Sequence, residues 1–175
     1  MDAQIWGPVF WNLLFDVAHF YRGNYSELVG DFFLKTKYVL PCETCRKHYD
    51  RFVGRDIQHR EDIGQDILYP LRNEINFRLL KPTLPLKTYR TRREFFPLVG
   101  NSFVLKKIFK IIWKTVIFID VTYPQTQARE WCMLAVTVTQ QIPGYGFVEP
   151  LDCRKALSTR DSTDTMSSDT ASTST

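Results

Sequence analysis

The chain lacks the features that would place it across a membrane or in a disulfide-stapled scaffold. Its longest apolar run, 103–121, is interrupted by Lys106, Lys107, Lys110 and Lys114. A lysine near a bilayer centre costs roughly 2.5–3.5 kcal/mol on insertion scales, so four of them exclude a spanning helix. The opening residues carry Asp2 and reach Trp6 with no apolar leader stretch, so no signal peptide is expected. Four cysteines in a chain with no expected secretory signal do not read as a disulfide framework; in a reducing compartment a close pair is more often catalytic or metal-binding. Charge of one sign is also scarce, with 23 basic against 19 acidic side chains and a net charge of +4. The clusters at Arg90, Arg92, Arg93 and at Lys106, Lys107, Lys110 read as solvated faces, and nucleic acid is not an expected partner. From Ser158 onward apolar residues nearly vanish, so the tail 158–175 is expected to be disordered.

What is present is apolar and aromatic. The chain is 44% hydrophobic, and thirteen Phe, eight Tyr and four Trp can build both a core and a wall for a planar ligand. The pattern predicts an all-α fold. Pro8 suits the first turn of a helix running to about Tyr21, which Gly23 and Asn24 break. Ser26 can cap a second helix with Leu28, Phe32, Thr36, Val39 and Leu40 on one face. Pro41 ends it, and a third helix starts at Cys42, with Cys45, Tyr49 and Phe52 following at spacings of three and four. A polar loop is expected over 54–65, then a fourth helix with Leu68, Leu71, Ile75 and Leu79 as its stripe, stopped by Pro82. Four such helices with short connections predict an up-and-down four-helix bundle over 1–100. Residues 101–157 read as a helical extension, with helices near 103–119 and 126–142. The β-branched run 115–119 leaves a strand as an alternative, and Lys107, Lys110 and Lys114 leave a membrane-surface helix open.

The two halves also echo one another. Trp11, Tyr21 and Pro41 recur as Trp113, Tyr123 and Pro143, each displaced by 102 residues. A decayed second copy would carry Gly144 where the first has Cys42, and it would pack on the first half as an intrachain pseudo-dimer in place of a homodimer.

Chemistry concentrates in Cys42 and Cys45. Two cysteines separated by two residues at a helix start lie within disulfide reach, and a helix N-terminus lowers a thiol pKa from its free value near 8.5. A thioredoxin-like setting requires βαβ surroundings, which this chain lacks. A zinc module or non-enzymatic scaffold is the alternative, with Cys42, Cys45, His48 and His59 as a ligand set.

Three blocks of sequence resemble the signatures of the Erv/ALR family of FAD-linked sulfhydryl oxidases. They are Trp6-Gly7-Pro8-Val9-Phe10-Trp11 with Leu14 and Ala18, Pro41 to Tyr49 around the cysteine pair, and Asn73 to Pro82, similar to the family's HNxVNxxLxKP. The resemblance covers roughly 6–90. It implies a helical bundle with FAD in its mouth, in which electrons pass from client dithiols through Cys42 and Cys45 to FAD and then to molecular oxygen, giving hydrogen peroxide. Cys45 would face the flavin and Cys42 would exchange with the client. Trp6, Gly7, Trp11 and His48 would surround the cofactor, and Asn73, Asn76 and Lys81 would contact it from the fourth helix. Phe15 and Arg72 stand where the family usually has histidines, which implies looser binding of the cofactor. Cys132 and Cys153 are the only candidates for a second, shuttle pair and read more readily as free or structural. A chain without a leader resembles the members of large DNA viruses, which implies host cytoplasm or virion.

Overall fold

A computed structural model gives the architecture and describes residues 3–54, 57, 59–95, 102–118 and 125–146. Cys153, Tyr123, the tail 158–175 and the side chains of Arg92, Arg93, Trp113 and Lys114 lie outside the described residues. Every regular element among the described residues is helical: α1 (Ala3–Phe20), α2 (Glu27–Lys35), α3 (Glu43–Phe52), α4 (Tyr69–Arg78), α5 (Leu86–Phe95), α6 (Ser102–Phe118) and α7 (Gln125–Thr139). A 3-10 turn, Thr36–Val39, extends α2, and a π-helical turn, Gly64–Leu68, leads into α4. The β-branched run is helical as far as Phe118.

Local boundaries follow from identifiable side chains. Helix α1 begins five residues before Pro8, so this proline sits inside the helix and not in its first turn. Its ring is exposed, and the N–H it lacks removes one intrahelical bond near the start of the helix, where few precede it. Gly23 ends the turn after α1 at φ +72°, a conformation that costs glycine nothing, and its N–H bonds Glu61 O at 3.0 Å. Ser26 caps α2 by accepting the Val29 N–H. The Thr36 hydroxyl donates to Phe32 O at 2.8 Å while wholly buried, at the point where α2 tightens into its 3-10 turn.

The stripes expected from periodicity are shifted in two places. Leu28 is exposed and Phe33 buried, because the core meets α2 along Val29, Phe32, Phe33 and Thr36. Leu79 is exposed because α4 stops at Arg78, leaving Leu79 outside the helical phase. The stretch expected as a polar loop also contributes to the core: Ile57, Ile63 and Gly64 are buried. There Asp62 accepts the Gln65 N–H at 2.9 Å and pairs with Arg22 at 3.1 Å, while the Tyr25 hydroxyl accepts the Ile63 N–H. Gly64 allows a close approach, since a Cβ in its place would stand 2.7 Å from the Tyr89 hydroxyl.

One core joins both halves of the sequence. Phe10 of α1, Phe32 of α2 and Trp131 of α7 stack, with centroid separations of 6.1 Å and 5.5 Å to the indole. Each such ring removes roughly 150–250 Å² from water, worth about 4–6 kcal/mol before ordering costs. The indole N–H donates to Thr36 Oγ1 at 2.9 Å, and Tyr21 OH donates to Val138 O at 2.8 Å.

Helix α6 packs on α1, and α7 packs on α2. Shifted by 102 residues, the buried positions Ile108, Phe109, Ile111 and Ile112 overlay the buried positions Trp6, Gly7, Val9 and Phe10. The apolar face of α6 is covered in this way, while Lys106, Lys107 and Lys110 are exposed on the other side. Among the described residues no helix is long and apolar enough to cross a membrane.

Candidate active site

Pro41 stops the preceding turn, and Cys42 becomes the N-cap of α3 with extended backbone, φ −119° and ψ 123°. Its Sγ accepts the Cys45 backbone N–H at 3.3 Å, in the place where a serine or aspartate oxygen usually caps a helix. Arg46 secures the entry from the other side: its guanidinium donates to Leu40 O at 3.1 Å, and its N–H bonds Cys42 O at 3.0 Å. Both cysteines are half-buried and present as thiols. Their environments are unequal. Burial, then the neighbouring Cys42, pushes the Cys45 thiol up to about 12. A backbone donor is aimed at Cys42 Sγ, the polarity that a sulfur anion requires.

One turn beyond Cys45, His48 meets Arg78 of α4, whose Nη1 faces the imidazole Nε2. A guanidinium only donates, so the ring nitrogen facing it accepts. Arg78 also pairs with Glu74 one turn earlier on its own helix. His59 is exposed in the turn beyond α3, apart from this cluster. Among the described residues no three of His, Cys, Asp or Glu gather closely enough to hold a metal ion.

The asparagines of α4 have backbone partners. Asn73 bonds Leu84 on both sides, Nδ2 donating to Leu84 O and Oδ1 accepting its N–H, each at 2.9 Å. Asn76 Nδ2 donates to Pro82 O at 3.3 Å, and Tyr69 OH donates to Leu84 O at 2.7 Å. These contacts fold 80–84 back along α4. The reversal itself is a Schellman turn: Lys81 N–H reaches Asn76 O, Leu80 N–H reaches Phe77 O, and Leu80 takes φ +53° where glycine is usual. The Lys81 side chain is exposed at this corner, beside exposed Phe77, Leu79 and Leu80.

A second cluster lies along α1. Gly7, Trp11 and Phe15 recur every four residues and so share one face. Trp11 and Phe15 are half-buried with centroids 5.8 Å apart. The row continues to Tyr89 of α5 at 5.7 Å and from there to Tyr69 of α4 at 5.0 Å. Arg72 lies over the Phe15 ring, its guanidinium carbon 5.7 Å from the centroid. The two positions that depart from the family pattern are therefore in contact with each other.

This face suits a flat aromatic cofactor. Gly7 is buried, yet a Cβ built on it would meet nothing within 4 Å. Trp6 is buried against Phe10, and its indole N–H has no partner among the described residues. Helix α4 links this face to α3, because Arg72 touches α1 while Arg78 touches α3, roughly 9 Å of helical rise apart. Sequence reading missed Arg78, Tyr69 and Tyr89. Only the i,i+4 spacing of Glu74 and Arg78 hinted at a role, and nothing local marked the two tyrosines.

Comparison with known proteins finds two viral relatives named as FAD-linked sulfhydryl oxidases. The chain is 29% identical to one from Invertebrate iridescent virus 3 over 96 residues, which is 50% of this chain and 65% of that protein. It is 28% identical to one from Invertebrate iridescent virus 6 over 109 residues, 54% of this chain and 97% of that protein. The chain thus spans just under two thirds of the first relative's length and nearly all of the second's. No protein-family model and no solved structure matches it.

Proposed function

We propose that this chain is an FAD-dependent sulfhydryl oxidase of the Erv/ALR type, with α1–α4 as the four-helix unit that carries the site. The observation that carries the reading is the placement of the pair at the start of α3. Cys42 caps the helix and receives the Cys45 backbone N–H, and both cysteines are half-buried. The names of the two viral relatives support the same activity.

The exchange runs on the oxidised form of the pair. A client thiolate attacks Cys42 Sγ; the Cys42–Cys45 bond breaks and Cys45 leaves with the electron pair and takes up a proton. A second client thiolate then attacks the client sulfur of the mixed disulfide and releases Cys42. The client has lost two electrons as its disulfide forms, and the protein pair has gained them. FAD, when bound, supplies the electron acceptor for that pair and the route to molecular oxygen, which leaves as hydrogen peroxide. Trp6, Gly7 and Trp11 would hold its rings from α1, His48 would stand beside it from α3, Asn73 and Asn76 would frame it from α4, and Lys81 from the turn that follows. The contact between Arg78 of α4 and His48 of α3 supports grouping His48 with the α4 residues.

The partners in this reading are protein dithiols, oxidised in host cytoplasm or virion; both relatives are viral proteins. The packing of α6 on α1 and α7 on α2 supports the reading in which the second half stands in for a partner subunit.

The test is direct. Purified protein should be yellow, with absorbance near about 450 nm from bound flavin, and should oxidise dithiothreitol with stoichiometric peroxide. The Cys45→Ser variant should stay yellow and lose turnover. Colourless protein that leaves dithiol untouched sinks the assignment.

A further inference from the structure

We propose that the lysine face of α6 docks the protein on an anionic phospholipid surface, a role that goes beyond the oxidase reading and does not depend on it. The mode left open by the sequence, in which this helix buries its apolar side in the bilayer interface, is closed by the packing. Leu105, Ile108, Phe109, Ile111 and Ile112 are all buried in the protein core. On the other side Lys106, Lys107 and Lys110 are exposed, and Phe103 is 64% exposed. Those four positions fall within an arc of about 100° on the helix, opposite the buried set, and Lys114 shares the same register. The lysines thus stand on a helix whose back is fixed to the core.

The face carries charge of one sign. No Asp or Glu occurs between Glu94 and Asp120, so α6 has no acidic residue of its own. Lys35, Lys37 and Lys47 each pair with a carboxylate elsewhere in the fold. Among the described residues no carboxylate pairs with Lys106, Lys107 or Lys110. Such a face is complementary to a diffuse anionic layer, to which each lysine near the surface contributes about fivefold in affinity. Lysine ammoniums act as hydrated point charges, and α6 carries no arginine to fork onto individual phosphates or base edges. An aromatic ring among the charges suits the headgroup boundary, where its apolar body can leave water. A nucleic-acid duplex would use the charges and gain little from Phe103, so the composition favours lipid. Helix α6 packs on α1 and α7, while the cysteine pair opens α3, so docking here engages none of the residues assigned to the redox site.

Vesicle co-sedimentation at low salt tests this, with phosphatidylcholine alone and with equal parts phosphatidylcholine and phosphatidylserine. The protein should pellet with the anionic vesicles, stay in solution with the neutral ones, and be released as salt rises. Lys106→Gln, Lys107→Gln and Lys110→Gln combined should weaken binding to the anionic vesicles by about a hundredfold. Lys37→Gln, Lys47→Gln and Lys87→Gln combined remove the same charge elsewhere and should cost less than about fivefold. Phe103→Ser should weaken vesicle binding and leave any binding to a DNA duplex unchanged. Circular dichroism melts check that each variant is folded, and the contrast between the two vesicle types in the unmodified protein stands without them. Equal losses in the two triple variants, or no binding of the unmodified protein to anionic vesicles, overturn the proposal. Displacement of the vesicles by duplex DNA at equal phosphate concentration overturns the lipid assignment in favour of nucleic acid. Flavin content and dithiol oxidation are separate measurements, so each of these failures leaves the oxidase reading standing.

Discussion

The sulfur of Cys42 accepts the backbone N–H of Cys45 at 3.3 Å, so the helix that presents the pair is capped by one of the two cysteine sulfurs. This makes the surroundings of the two thiols unequal. Cys45 is pushed up to about 12, first by burial and then by Cys42 beside it. In the reduced protein it therefore keeps its proton through neutral pH. Iodoacetamide at pH 7.5 should modify Cys42 first, and modification of Cys45 should accelerate only as the pH is raised far above the ordinary thiol range near 8.5. Peptide mass spectrometry of briefly alkylated, fully reduced protein reads this out. Equal labelling of both cysteines at pH 7.5 would contradict the asymmetry on which the proposed division of labour depends.

Much of this arrangement is legible in the amino-acid sequence. Pro41 and the spacing of Cys42, Cys45 and Tyr49 mark a helix start and its inward face, because capping and 3.6-residue periodicity are local properties. The helices near 103–119 and 126–142 are visible for the same reason. What the sequence hides is tertiary. Nothing near Ile63 announces that Tyr25 and Asp62 will bind and bury a stretch rich in polar residues. Nothing in α1 states that Phe15 will meet Arg72, since that contact depends on the path of the chain between α3 and α4. Pro8 misleads for a simpler reason. A proline marks a helix start only statistically, and here the helix begins earlier while the ring faces solvent.

Leu80 holds a left-handed conformation, φ +53°, with 95% of its surface exposed. Left-handed backbone costs a residue with a Cβ about 1–2 kcal/mol, and the exposed side chain recovers almost nothing by burial. Leu80→Gly should therefore raise unfolding free energy by about 1 kcal/mol, after allowing for glycine's greater freedom in the unfolded chain. Urea denaturation of the two proteins measures the difference. A loss of stability would mean that the leucine side chain makes contacts in the folded protein that outweigh its backbone strain.

Asp16 of α1 accepts the Tyr145 hydroxyl at 2.6 Å and so ties the end of the described chain back to its first helix. Burial raises the Asp16 carboxyl above its ordinary 3.8, opposed in part by this hydrogen bond. A carboxyl with a raised folded-state pKa favours the fold below its ordinary value, and that contribution is lost as the pH climbs through the folded value. Asp16→Asn keeps an acceptor for Tyr145 and removes the titration. Its melting temperature should rise relative to wild type between about pH 4 and pH 7, with the two curves converging at the acid end. A constant offset across that range would show that the carboxylate is not destabilised by its surroundings.

Trp131 tests whether the second half is a separable appendage. It is wholly buried, stacks on Phe10 and Phe32, and donates its indole N–H to Thr36 at 2.9 Å. Truncation of a buried tryptophan costs about 3–5 kcal/mol, and Thr36 would lose a buried partner as well. Domains of this size are stabilised by about 5–15 kcal/mol in total, so Trp131→Ala should leave a marginal fold. The loss should be shared by both halves, because the ring touches α1 and α2 as well as its own helix. Protection of Cys45 from alkylation should therefore disappear in the same urea transition as the helical circular dichroism. A variant in which Cys45 stays protected after part of the helical signal has melted would show that α1–α4 stand without α7, and the intrachain pseudo-dimer would lose its physical basis.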